Sequence, residues 1–201
     1  VHIRRFVLIG PAHVAPVRGL ATSSAAAFDT PLGRVRVDEE GREAILSLPQ
    51  VGVSDAAHAP EHCLEVQLPF LQVLFPDFTF VPLLVGDTAA SDVAEVLDRL
   101  WGGPETRIVV SSDLSHYYAQ EVARRLDGET AAAIVALQPA ALREDAACGQ
   151  TAIGGLLRAA RAHGMTATAV DLRNSGDTGG PTDRVVGYGA FTFVERVPSV
   201  L

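Results

Sequence analysis

The side chains of this 201-residue chain that could do chemistry sit just after its apolar runs. Residues 6–9 (Phe-Val-Leu-Ile) lead into Gly10-Pro11-Ala12-His13, where glycine and proline shape a turn that can present an imidazole. Residues 107–110 lead into Ser111-Ser112-Asp113-Leu114-Ser115-His116, which sets a carboxylate three residues before a histidine. A carboxylate at that spacing can orient the ring and raise its basicity, as proton transfer requires. Cys148, in Ala147-Cys148-Gly149, is by default a small buried hydrophobe. It also precedes a helical stretch beginning near Thr151, so a nucleophilic thiol with His116 as its base is a second chemistry open to these residues.

His58 and His62 are four residues apart, the spacing that puts two metal ligands on one helical face. Pro60 lies between them. It disfavours helical geometry at Ala59 and fits only the first turn of a helix starting there, so His58 is expected in a loop and His62 at a helix start. Glu61 suits the positive end of that helix dipole. His163, beside Gly164, reads as a helix-end residue, and neither it nor His2 is assigned a function. The two cysteines, Cys63 and Cys148, are too few for a disulfide framework and are expected as thiols.

These residues need a sheet to hold them, because in open α/β sheets ligands collect outside the carboxyl ends of the strands. Residues 6–9 read as a strand, and residues 20–38 as a hairpin around Thr30-Pro31-Leu32-Gly33. Asp38 caps a helix running to about Leu48, residues 49–60 read as an irregular loop, and a second helix covers 62–74. A strand over 78–85, a helix over 91–101 capped by Ser91 and a buried strand over 107–111 follow the rhythm of a parallel crossover. Helices are expected over 119–137, 139–146 and 151–163, the last stopped by Gly164. Strands at 166–172 and 185–194 close the chain around a polar loop from Asn174 to Pro181. The alternation predicts one α/β domain over residues 1–201, three layers deep, with a mixed, mainly parallel sheet and helices on both faces.

Composition narrows the function classes. With 48% hydrophobic residues the chain can bury a full core. Sixteen basic against 24 acidic residues leave a formal charge of -8, which disfavours nucleic acid and anionic lipid as partners. No apolar run approaches the roughly 18 to 20 residues of a membrane span, and the expectation is a cytoplasmic protein.

Taken together, six segments resemble the Memo-like family, which includes the protein B component of the AmmeMemoRadiSam system. They are Ile9-Gly10-Pro11-Ala12-His13, residues 61–70 (Glu-His-Cys-Leu-Glu-Val-Gln-Leu-Pro-Phe), residues 110–116 (Val-Ser-Ser-Asp-Leu-Ser-His), Ala147-Cys148-Gly149, Asn174-Ser175-Gly176-Asp177 and Val185-Val186-Gly187-Tyr188. They fall in family order across nearly the whole chain. The resemblance implies a fold like that of class III extradiol dioxygenases, whose non-haem iron is held by two histidines and a carboxylate, with a cysteine at the carboxylate's place. On that mapping His13 is a metal ligand, Cys148 the thiolate ligand and His116 the acid/base histidine. Asp113, Glu61 and His62 line or support the cleft.

Imidazole suits iron, copper and zinc, while a thiolate turns preference toward softer ions, so iron or copper is expected, with zinc the third candidate. The resemblance thus implies a metal-binding, dioxygenase-like redox protein with a small molecule or peptide in its cleft. The family pattern also carries an upstream Pro-His-Ala-Gly-Tyr segment whose histidine is the first ligand, and these 201 residues start after its place. The ligand set is therefore expected to be incomplete: its missing imidazole lies upstream of Val1, or is lacking with weaker metal binding, or is replaced by His62. A non-enzymatic binding module that keeps the cleft and a hydrolase built on Cys148 stand as alternatives.

Overall fold

In the computed structural model, which describes residues 2–143 and 145–195, the chain divides into two units, Val1–Ser111 and Ser112–Leu201. The first contains, in order, β1 (Arg5–Pro11), β2 (Leu20–Thr22), β3 (Ala27–Thr30), β4 (Gly33–Val37), α1 (Glu39–Leu46), β5 (Val51–Val53), α2 (Asp55–His58), α3 (Leu68–Leu74), β6 (Thr79–Val85), α4 (Ala90–Arg99) and β7 (Thr106–Val110). β1 is central because nothing in Phe6-Val7-Leu8-Ile9 tolerates water. It pairs in parallel with β6 on one side and β7 on the other, the product of the expected crossover through α4. β4 also joins β6 in parallel, and β3 closes the hairpin antiparallel to β4.

Both faces of this mainly parallel sheet are covered. Phe6, Leu8, Phe80 and Leu84 form a cluster with Ala57, Leu64 and Leu68. Val81 looks the other way, against α1, where a Cβ on Gly41 would lie only 2.7 Å from it. Each such fully buried Leu, Val or Phe contributes about 1.5–3 kcal/mol. Pro82 sits inside β6 without harm: β4 pairs only with Thr79 and Phe80, and β2 with Leu84 and Val85, so the proline falls where no partner asks for an N–H.

Asp38 caps α1 as expected, accepting the Gly41 N–H. Three local expectations fail. The cap of α4 is Ala89, with Asp92 reaching back to its N–H, and Ser91 lies inside the helix. The stretch expected as irregular contains β5 and α2, where His58 ends α2 buried with Nε2 on the Ala21 carbonyl at 3.0 Å. α3 begins at Leu68, after a 3-10 turn at Glu65–Gln67.

The second unit holds β8 (His116–Tyr118), α5 (Gln120–Val135), α6 (Gln150–Ala162), β9 (Met165–Asn174) and β10 (Val185–Glu195). Its strands form a separate antiparallel sheet in the order β8, β10, β9, with α5 packed on β9 and β10 and α6 on β9. β8 is a strand that no periodicity announced. The helix expected over 139–146 is a single turn at Pro139–Ala141 among the described residues. Gly164 ends α6 as expected, at φ +65°. No helix among the described residues is long and apolar enough to cross a membrane.

Candidate functional site

His13 leaves β1 on a loop that glycine makes possible. The Ala12 N–H donates to the Val85 carbonyl at 2.9 Å, and the chain then folds back on the end of β6 through Gly86 N–H to Gly19 and Asp87 N–H to Val17. Gly19 has φ +73°, with Gln50 oxygen 2.1 Å from where a Cβ would stand. At Gly86 the Val17 oxygen would be 2.0 Å away. Neither position admits a side chain, so the loop carrying His13 is pinned at both strands.

Glu61 completes the arrangement. Its Oε2 accepts the His13 backbone N–H at 2.7 Å, and its Oε1 lies 3.1 Å from His13 Nδ1. Oε1 also accepts the N–H groups of His62 at 3.0 Å and Cys63 at 3.1 Å. Burial opposes ionisation of this carboxyl. The His13 backbone and ring, with the Cys63 N–H, outweigh it and hold its pKa down to about 2. An ionised carboxylate only accepts, so Nδ1 of His13 carries the proton and Nε2 is left open for a ligand. The Cys63 thiol donates to the Pro11 carbonyl at 3.2 Å. His13, Glu61 and Cys63 bring one donor atom each within 4.8 Å of one another.

Glu61 and His62 both line a cavity of about 410 Å³, together with Ser23, Phe28, Asp55 and His58. Its walls are acidic. Asp55 accepts hydrogen bonds from the Ser24 and Ser23 hydroxyls and the Ser24 N–H, which hold its carboxyl at about 2. His62 points to solvent, with Nδ1 2.6 Å from Glu65 Oε1.

In the second unit the segments before β8 and before α6 are laced together. The Asp113 N–H donates to Cys148 Sγ at 3.2 Å, and the Cys148 N–H to the Asp113 carbonyl at 3.3 Å. Ser112 Oγ donates to the Asp113 carbonyl at 2.7 Å, accepts the Gly149 N–H at 2.8 Å and lies 3.6 Å from Cys148 Sγ. His116 Nε2 is 3.6 Å from Asp113 Oδ2. Asp113, His116 and Cys148 thus form a second group whose donor atoms all lie within 4.8 Å. Tyr117, at φ +63°, sets its ring 5.7 Å from that of His116 and has the Arg184 guanidinium 5.0 Å from its ring centroid.

Of the residues singled out from sequence, His13 joins Glu61 in the first unit, with His62 bordering the cavity that Glu61 also lines. Asp113, His116 and Cys148 come together in the second. Sequence reasoning passed over Cys63 as a donor and over Asp55 and His58 as cavity walls. Cys63 had a signal, since it stands two residues after Glu61 in the same segment. The spacing of His58 to His62 was set aside because of Pro60, and Asp55 had no signal until α2 was laid against β2.

A family model described as "Memo-like protein" matches residues 1–192. A MEMO1 family protein of Thermoplasma volcanium is 34% identical over 206 residues, covering 97% of this chain and 76% of that protein. One of Aquifex aeolicus is 35% identical over 201 residues, covering 94% and 75%. Among solved structures, an uncharacterized protein from Escherichia coli K12 aligns with a TM-score of 0.56 at 16% identity, covering 94% of this chain and 87% of that one, a likeness of fold.

Proposed function

This chain belongs to the Memo-like family, and from that premise we propose that it is a metal-binding protein with a His/Cys centre and a dioxygenase-like redox activity. The observation that carries the proposal is the group of Asp113, His116 and Cys148 within 4.8 Å. A thiolate ligand suits a first-row transition ion, iron or copper ahead of zinc. Cys148 would anchor the ion. His116, with Asp113 beside it, would take up and release a proton. His13, its tautomer set by Glu61, keeps the ligand role that the family resemblance implies. The bound ion would supply Lewis acidity and a path for electrons from an oxidisable substrate to dioxygen. The cavity beside Glu61 and His62 has the volume of a small-molecule site.

Metal analysis of protein purified without chelator tests this reading. Iron or copper near one per chain is expected, with Cys148→Ala losing at least about 100-fold in affinity and His116→Ala losing far less. Metal-free protein, or a Cys148→Ala variant that binds as wild type does, would sink it.

The same three residues support a second reading, a Cys148 nucleophile with His116 as base, because the thiol accepts the Asp113 N–H just before the 13-residue α6. Here rapid alkylation of Cys148 that chelator leaves unchanged is expected. Alkylation no faster than that of a free thiol discards it.

A further inference from the structure

Asp127 is a charged residue the proposed reading does not use. It lies mid-helix in α5, on the buried stripe of Ala123, Thr130, Ala131 and Ile134, and is 2% exposed. A carboxylate in such a place is costly unless something bonds it. What it meets is backbone: Oδ1 accepts the Ser115 N–H at 2.9 Å. The other side of that short segment is held by β10, where the Leu114 N–H donates to the Gly187 carbonyl and the Gly187 N–H to the Ser115 carbonyl, both at 2.8 Å. Gly187 and Asp127 meet so closely that a Cβ on the glycine would stand 2.1 Å from the carboxylate. Ser115 Oγ is buried with no hydrogen-bond partner among the described residues.

The consequence concerns the residues on either side. Asp113, whose N–H bonds Cys148 Sγ, precedes the clamped pair Leu114-Ser115, and His116 follows it. We propose that Asp127 is the positioning residue of the Asp113, His116 and Cys148 group: by holding the Ser115 N–H against β10 it fixes the turn that sets Asp113 and His116 at their distances from the thiol. Gly187 is the glycine that lets the clamp close. The inference goes beyond the metal reading and rests on it only for the second arm of its test.

The 201-residue chain is compared as wild type, Asp127→Ala and Asp127→Asn. In metal-free protein the Asp113 amide resonance reports its bond to sulfur. It is expected to move in Asp127→Ala and to return to its wild-type position in Asp127→Asn, whose side-chain oxygen still accepts. An amide unmoved in Asp127→Ala, or moved equally in both variants, overturns the proposal. With Co²⁺ titrated in, Asp127→Ala should lose about 10- to 100-fold in affinity, the effect typical of removing an outer-shell partner, and Asp127→Asn should recover most of it. If wild type binds no Co²⁺ the metal reading suffers, while the amide shift still decides the role of Asp127. Should Asp127→Ala not fold, wild type alone suffices: a scalar coupling across the hydrogen bond from the Ser115 amide to the Asp127 carboxyl carbon is expected, and its absence overturns the proposal.

Discussion

Glu61 turns His13 from a loop histidine into a directed one. Because both its oxygens are taken by donors of His13, His62 and Cys63, the imidazole has a single orientation and a single tautomer. Nitrogen NMR should show His13 protonated at Nδ1 in wild type and as a tautomer mixture in Glu61→Ala, with a drop of about 10- to 100-fold in any metal affinity that depends on it. A ring that keeps one tautomer without Glu61 would refute the assignment. His13, Asp113 and His116 were legible because each follows an apolar run that ends in turn-forming or polar residues. The bond between His13 and Glu61 was not, since it spans 48 positions and depends on where β1 and the turn after α2 meet. The clamp at Asp127 was hidden in the same way: an acid between Leu126 and Gly128, with Arg124, Arg125 and Glu129 close by in sequence, reads as a solvent-facing residue until α5 is laid against β10.

Secondary elements were legible in proportion to their length and to how much of their order is local. β1, β6, α1, α4 and α6 announce themselves by apolar runs, helical spacing or caps. β5, α2 and β8 are three or four residues long. β5 and β8 exist because distant strands supply their bonds, β5 lying on β2 and β8 on β10, and α2 is a single turn capped by Ser54. α1 offers a test at this scale. Burial works against ionisation of Asp38, but the Arg5 guanidinium at 2.7 Å, the Gly41 N–H and the Thr79 hydroxyl hold its carboxyl below the usual value of 3.8. With the native pKa depressed, the stability it contributes is fully present above the ordinary carboxylate range and is lost as pH falls through the lower native value. Asp38→Ala should cost about 1–2 kcal/mol at neutral pH by urea unfolding. It should also flatten the loss of stability below about pH 4. A variant with an unchanged acid limb would show that the Arg5 pair contributes nothing.

For the molecule as a whole, charge and partition carry the argument. A net charge of -8 and an isoelectric point near 5.2 predict least solubility close to that pH and no retention on DNA at physiological salt. Salt-sensitive binding to duplex DNA in a mobility-shift assay would contradict this. The α/β class was legible from alternating patterns, whereas the division at Ser111 was not, because no glycine- or proline-rich stretch marks it and Ser111-Ser112 looks like the interior of one motif. That division has a consequence for descent. His13, Glu61 and Cys63 are all encoded before it, and Asp113, His116 and Cys148 all after it. A recombination breakpoint between the two serines would pass each of these two donor groups on whole.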